Sequence, residues 1–391
     1  MNSWELLPLC YNPPVRILHV ISGLDPQNGG TTTALLGMAT SQVRAGLNVT
    51  VLSTWIIEDG KPVAEMLRNS GVKVMHIGPA TGKLSRHPEL KKVMMGAVNN
   101  CDVVHIHGLF EQAQHDAARA AMELKKPYVI TPHGMLSPWN MQQNKWGKKF
   151  YMLWRLRKNL HRAAAIHYTT DAERDLAMSL KLPGKAVVML LGLDVEEFET
   201  LPEPGTFRRL FPQLGDQPFV LFLGRLDYKK GLDILIPAFA DANLLDVKLV
   251  LAGPDRDGYE PTVRRLVEQH HLQDRVIFTG MLRGRDRLAA YVDASLFTLT
   301  SYQENFGITV IEAMACGCPV LISDQVNMFS QVKEAGRVVA ANREATKVVL
   351  VEMMNDPLLK DMGKNGRDFA IRKYDWNAIA GDWVKVYREI I

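Results

Sequence analysis

Five side chains in this sequence are of a type and placement to do chemistry: His133, Arg225, Lys230, Glu304 and Glu312. Arg225 and Lys230 lie in Gly224-Arg-Leu-Asp-Tyr-Lys-Lys-Gly231, directly after the apolar run Phe219-Val-Leu-Phe-Leu223. A guanidinium forks onto phosphate oxygens and a lysine ammonium adds a compact point charge, so the pair suits a diphosphate. A departing diphosphate gathers negative charge as its bond breaks, and fixed cations stabilise that charge. Glu304 and Glu312 stand with seven residues between them, the first on a short polar turn and the second along a helix. A solvated helix after an ordinary turn is the plain alternative for that pair. His133 follows Thr131-Pro132 and precedes Gly134, a sharp turn that presents a neutral imidazole to a hydroxyl or to developing charge. Its plain alternative is a satisfied loop histidine.

The elements needed to position these groups are strands that feed helices. Ser295–Thr300 reads as a buried strand, Phe306–Cys316 has helical apolar spacing, Gly317 stops the helix, and Pro319-Val-Leu-Ile322 opens the next strand. The crevice between such a strand and helix binds ligands in open α/β sheets, and free amides at the helix start suit a phosphate. Gly307 lets the backbone approach a ligand there. Near the start of the chain, Val15–Ile21 is a strand, Ser22–Gly30 a turn, and Thr31 caps a helix through about Ala45. That layout also binds phosphate, but the Gly-x-Gly-x-x-Gly fingerprint is missing, which argues against a Rossmann-type oxidoreductase or epimerase. Further strands at Asn48–Leu52, Val72–Met75, Val103–His107, Tyr128–Ile130 and Lys248–Pro254, and a strand and loop over Val276–Arg283, alternate with helical stretches. Alternation of this kind predicts parallel sheets with crossover helices.

At 391 residues the chain exceeds one ordinary core, so two domains are expected. The 47% hydrophobic and 23% charged content is that of a globular protein. A net charge of +4 fits anionic small ligands or a membrane surface and does not single out nucleic acid. Cys10, Cys101, Cys316 and Cys318 have neither zinc-ligand nor disulfide-framework spacing, which points to a reducing cytoplasm. The N-terminus shows no basic n-region and no apolar run is long enough to span a bilayer.

Glu304-Asn-Phe-Gly307, with Glu312-Ala-Met-Ala-Cys-Gly317 after it, resembles the paired-glutamate motif of family 4 (group 1) retaining glycosyltransferases. The resemblance covers nearly the whole chain and is densest in the second half. It implies the GT-B architecture, two Rossmann-like domains facing each other across a cleft. The expected division is an acceptor domain over residues 1–200, a nucleotide-sugar donor domain over 201–373, and a C-terminal helix over 374–391 that returns to the first domain. By resemblance, Gly29 and Gly30 face the donor diphosphate and the acceptor, and His133 contacts the donor sugar. Arg225 and Lys230 hold the places that neutralise the leaving diphosphate, and Lys229 is an extra, solvated lysine. Glu304 positions the transferred sugar, Glu312 holds the ribose, and amides of the Asn305–Ile308 turn (Asn305, Phe306, Gly307 and Ile308) reach the phosphates. Met281 and Leu282 lie where the base rests, partly on backbone, with a plain connecting loop as the alternative. The family usually carries Pro-Asn-Gly where this chain has Leu190-Leu-Gly192, so nothing is transferred there. No cofactor or metal is implied; the substrates are a nucleoside-diphosphate sugar, expected to be a hexose, and a saccharide or lipid-linked acceptor. A role in surface polysaccharide or glycolipid synthesis follows from the resemblance alone. A partner protein that binds nucleotide sugars without turning them over is the other class, and the intact set of five polar residues argues against it.

Three other features ask for a reading. His105 and His107 share a strand face but lack a third ligand nearby in sequence, so packing or acceptor contact is expected and not a metal. The basic, aromatic stretch 144–162 suits an inner membrane face or a lipid-diphosphate acceptor, or is an amphipathic helix packed on the sheet. Asp255-Arg-Asp257 imitates a metal-binding Asp-x-Asp but stands in a Pro/Gly loop and reads as a turn. Trp376 is expected to anchor the last helix by packing.

Overall fold

A computed structural model describes residues 13–25, 29–56, 60–82, 84–142, 151, 155–182, 184–255 and 258–391. Short apolar runs, bounded by turns and separated by helices, form two wholly parallel sheets. The first holds seven strands: β1 (Arg16–Ile21), β2 (Asn48–Thr54), β3 (Lys73–Ile77), β4 (Val103–His107), β5 (Tyr128–Thr131), β6 (Ala165–Tyr168) and β7 (Lys185–Val188), in spatial order β3-β2-β1-β4-β5-β6-β7. The second holds six: β8 (Phe219–Leu223), β9 (Lys248–Ala252), β10 (Val276–Gly280), β11 (Leu296–Leu299), β12 (Val320–Ser323) and β13 (Gly336–Val339), in order β10-β9-β8-β11-β12-β13. Strand order reverses beside β1 and beside β8, and a crevice opens at the carboxyl ends of the strands at each such reversal. The two Rossmann-like sheets expected from the sequence are therefore present. Strands β7 and β13, short and partly exposed, were too weakly patterned to be expected.

Helix boundaries follow the expected runs with one correction. The first helix begins at Gly30, with Gly29 as its N-cap and no side-chain cap, so Thr31 lies inside the first turn. Gly29 has a φ of 75°, a left-handed conformation that a β-branched cap such as threonine would adopt only with strain. After β8, Gly231 has a φ of 65°, and a Cβ on it would fall 2.1 Å from the Thr300 carbonyl oxygen. Only glycine lets the Leu232–Asp241 helix start this close to β11, which is why the lysine pair is followed by glycine.

The chain crosses between the two sheets twice, and the two passes are bonded together. Leu193 N–H donates to Tyr374 O at 2.6 Å, and Trp376 N–H donates to Leu193 O at 3.1 Å. Gly192 makes room, since a Cβ there would stand 2.8 Å from both the Trp376 ring and Tyr374 O. The helix Trp376–Ile390 then lies on the first sheet, with Trp376, Trp383 and Tyr387 buried. Trp376 packs against Gly37 and Gly192, an anchor as expected.

Of the basic stretch 144–162, residues 144–150 and 152–154 lie outside the described residues. In the helix Arg157–Arg162, Leu160 and Asn159 are buried while Arg157, Lys158, His161 and Arg162 point outward. Among the described residues, no helix is long and apolar enough to cross a membrane. Cys101, Cys316 and Cys318 are free and buried; Cys10 lies outside the described residues. Asp255 accepts from Tyr259 N–H and Glu260 N–H, so its carboxylate closes a turn, while Arg256 and Asp257 are not described.

Candidate active site

The carboxyl ends of the two sheets face each other across a cavity of about 490 Å³. Gly29, Gly30 and His133 line it from the first half; Arg225, Lys230, Glu304, Asn305, Phe306, Gly307 and Ile308 line it from the second. Nine of the expected residues in those two sets come from short motifs spread over the chain, and His133 joins them from the end of β5. Gly29 sits against Arg225, whose Nε lies 3.9 Å from where a Cβ would be. Two helix N-termini, at Gly30 and Ile308, open onto the cavity from opposite sides. Each carries roughly half a positive charge from its aligned peptides, which favours an anion between them.

Arg225 lies 3.8 Å from Asp227, and the Lys230 ammonium is paired with the Glu304 carboxylate. Glu304 is held rigidly: its N–H donates to Gln325 O at 3.0 Å, and its carbonyl accepts from Asn327 N–H at 3.0 Å. Lys229 corrects an expectation. It is not solvated but stands 4.7 Å above the Trp139 ring, lines the cavity, and loses pKa through desolvation. A lysine stem covers apolar surface readily, and the ring face attracts its charge.

Glu312, Met281 and Leu282 do not line the cavity. The Glu312 carboxylate is buried, accepts from Tyr291 OH at 3.1 Å and pairs with Arg287 at 3.4 Å; desolvation pushes its pKa up despite the cation. Arg287 also holds Glu197 at 2.8 Å, so Glu312 is the buried end of an ion cluster that reaches the surface at Glu197. Met281 is exposed beyond β10. Asn305 spans the two halves: its amide donates to Thr169 Oγ1 at 3.0 Å, and its side chain fills the space beside Gly134.

Several site residues were not foreseen. Glu173 lies in the first turn of the helix Asp171–Met178, yet its carboxylate turns inward, accepting from Gly134 N–H at 2.6 Å and Thr169 N–H at 2.7 Å. It thereby fixes the loop carrying His133, and desolvation raises its pKa against those hydrogen bonds. Behind His133 runs a buried row of imidazoles: His107 and His105 on β4, His19 opposite His105 on β1, and His167 on β6. His133 Nε2 is 3.1 Å from His107 Nδ1, and His107 Nε2 is 2.9 Å from His19 Nδ1. Burial pushes His133 down to about 3 and both His19 and His167 down to about 4, so all three are neutral at pH 7. The third imidazole that the sequence lacked near His105 and His107 is thus His19, and ring nitrogens of these three lie within 4.8 Å of one another. All six of their ring nitrogens have hydrogen-bond partners, so the three rings form a bonded row.

Comparison with known proteins agrees with this geometry in both halves. Residues 207–369 match the family described as "Glycosyl transferases group 1", and residues 29–192 match "Glycosyl transferase 4-like domain". The chain is similar to the GDP-mannose:cellobiosyl-diphosphopolyprenol alpha-mannosyltransferase of Xanthomonas campestris, 24% identical across 95% of this chain and 96% of that protein. It is similar also to the alpha-maltose-1-phosphate synthase of Mycolicibacterium smegmatis, 28% identical across 88% of this chain and 95% of the relative. The solved structure of Anabaena HepE with UDP-glucose superposes with a TM-score of 0.78 at 22% identity, covering 96% of this chain and 99% of that one. With both sides of the cleft matched, the chain belongs to the group 1 (family 4) glycosyl transferases, nucleotide-sugar-dependent retaining enzymes of the GT-B fold.

Proposed function

We propose that this enzyme moves a hexosyl group from a nucleoside-diphosphate hexose to a hydroxyl of a lipid-linked saccharide, in the synthesis of a surface polysaccharide or glycolipid. The observation that carries the donor half is the convergence of Arg225, Lys230 and two helix N-termini on one cavity that also holds His133 and Glu304. The lipid-linked acceptor is supported by the Xanthomonas relative, whose name specifies a diphosphopolyprenol-linked sugar and whose length this chain spans. In the donor's absence Lys230 and Glu304 neutralise each other. A bound donor divides them: the diphosphate takes Lys230 and Arg225, and a sugar hydroxyl takes Glu304. Charge growing on the departing diphosphate then meets cations already in place, which need no reorganisation as the bond breaks. His133, kept neutral by burial, meets the sugar without adding charge. Glu304 acts as a sugar-positioning group rather than a nucleophile, its backbone held at both ends by the Gln325–Asn327 segment.

The test is a thermal-shift screen of UDP-, GDP- and ADP-hexoses against the wild type and Arg225→Ala. A ligand that binds only the folded state raises its melting temperature. The expected result is stabilisation by one nucleotide class, lost in Arg225→Ala, with slow hydrolysis of that donor abolished in Glu304→Ala. Absence of any shift at millimolar donor would overturn the donor-site assignment. A donor effect together with transfer to a soluble sugar phosphate, and none to a lipid diphosphate saccharide, would replace the acceptor.

A further inference from the structure

A carbonyl oxygen has no proton to give, so the hydrogen bond between His167 and Met189 can run only one way. His167 Nε2–H donates to Met189 O across 2.8 Å. In a neutral ring the other nitrogen is then bare, so His167 Nδ1 must accept from Thr131 Oγ1–H at 2.8 Å. Thr131 has given its one proton, and so receives His105 Nε2–H at 2.7 Å. His105 Nδ1 accordingly accepts from Tyr387 OH, also at 2.7 Å. The Tyr387 oxygen accepts in turn from the Gln42 amide Nε2 at 3.1 Å, which turns Gln42 Oε1 towards His19 Nε2 at 2.7 Å. His19 Nε2–H donates there, leaving His19 Nδ1 to accept His107 Nε2–H, and His107 Nδ1 to accept His133 Nε2–H.

Each step is forced by the one before it provided that every ring is neutral. Burial supplies that condition: His105 and His107 lie well below the ordinary imidazole value, as do His19, His133 and His167. One backbone carbonyl thus dictates five tautomers, and all five carry the hydrogen on Nε2. The link that joins the Met189 side of the row to the His133 side is Tyr387 of the Trp376–Ile390 helix, together with Gln42 of the Gly30–Arg44 helix.

We infer that Tyr387 and Gln42 are positioning residues that hold His133 as a hydrogen-bond acceptor, with Nδ1 bare, by relaying the polarity of the Met189 carbonyl through the imidazole row. The inference rests on the reading of His133 as the group that meets the transferred sugar. A bare Nδ1 takes the proton of a hydroxyl and repels an unprotonated phosphate oxygen. His133 therefore selects the sugar end of the donor and leaves the diphosphate to Arg225 and Lys230. A helix that lines no part of the cavity in this way sets the orientation of a bond inside it.

The test uses the full chain labelled with 15N-histidine, in long-range proton–nitrogen correlation spectra at pH 7.5 without substrate, each ring assigned by its own His→Gln variant. The wild type is expected to show protonated Nε2 and bare Nδ1 at His19, His105, His107, His133 and His167. Tyr387→Phe removes the linking hydroxyl. His105 and His167, still tied to Met189, should keep their tautomer, while His19, His107 and His133 become mixtures. The same variant should lower kcat in proportion to the His133 fraction that loses its bare Nδ1, and should reduce the donor's melting shift without abolishing it, because Arg225 and Lys230 still hold the diphosphate. If Tyr387→Phe fails to fold, Gln42→Met cuts the relay on its other side and should split the same three signals. Nδ1–H on His133 in the wild type, or three unmoved tautomers in a folded variant, overturns the proposal; a change spread over all five rings would also do so, as that marks general loosening. The stated spectra in a chain that turns over no nucleotide sugar uphold the polarity and remove only its link to transfer.

Discussion

The two sheets share one plan and fill it differently. In the second, the strands are almost purely apolar, as in Phe219-Val-Leu-Phe-Leu223 and Val320-Leu-Ile322, and the polar work is done by turns beyond their ends. In the first, polar groups stand within the strands themselves: His19, His105, His107, His167, Ser53 and Thr131 are all buried. Buried polar groups must find partners or cost stability, so the first sheet is held by a specific hydrogen-bond network and the second by packing. The difference teaches where each half keeps its precision. The second half places cations on loops over a buried apolar base. The first half carries its precision inward, to a helix on the far side of its sheet.

The largest effect expected on this contrast is at the loops of the second half. Arg225→Ala should lower kcat about 10²–10³-fold, the scale for removing a group that stabilises developing charge. The check is initial-rate turnover beside an unchanged melting temperature in the absence of ligand. A larger loss from His133→Ala than from Arg225→Ala would invert the contrast. Next, Gly37→Ala strikes the first half from behind. Its Cβ would fall 2.0 Å from the Trp376 indole nitrogen, and overpacking of this kind costs about 1–3 kcal/mol. Denaturant unfolding should show the loss, and a neutral result would mean that the last helix is not anchored there.

Acid should separate the two halves as well. His19 and His167 are held near 4 when folded and sit at their ordinary 6.5 when unfolded, so between those values the unfolded chain binds more protons. Stability is therefore complete well above pH 6.5 and falls as pH drops towards 4, by about 1.4 kcal/mol for each of these two imidazoles at pH 5.5. Melting curves from pH 7.5 to 5.5 check this; a flat profile would mean that the row is not neutral and buried. The smallest effect is expected at Lys229→Ala, which loses a cation–π contact with Trp139 worth about 0.5–1 kcal/mol and should raise the donor's KM two- to fivefold. A change in kcat alone would show that Lys229 acts on the departing group instead.

How much of this could be read in the sequence tracks the same contrast. The loops were legible because their chemistry is local: Arg225 and Lys230 lie six positions apart counted inclusively, and Glu304 stands beside its own turn. The parallel sheets were legible because apolar runs and glycine stops repeat along the chain. The imidazole row was not. Period-two alternation put His105 and His107 on one face, but His19 joins them only because β1 lies beside β4, and Tyr387 only because the last helix lies on that sheet. Glu312 and Glu173 show the other limit. Which neighbour each carboxylate meets, Arg287 for one and Gly134 N–H for the other, depends on elements far along the chain. Lys229 was misjudged for the same reason, since Trp139 reaches it from the opposite half.

The paired crossing at Leu193 and Tyr374–Trp376 has a mechanical meaning. Two chain segments bonded side by side make a ribbon, and a ribbon flexes across its flat face far more easily than it shears within its plane. A single tether would leave the second half free to swivel about it. Two bonded passes confine any relative movement of the halves to bending across the ribbon, which keeps Lys230 and Glu304 in line with His133.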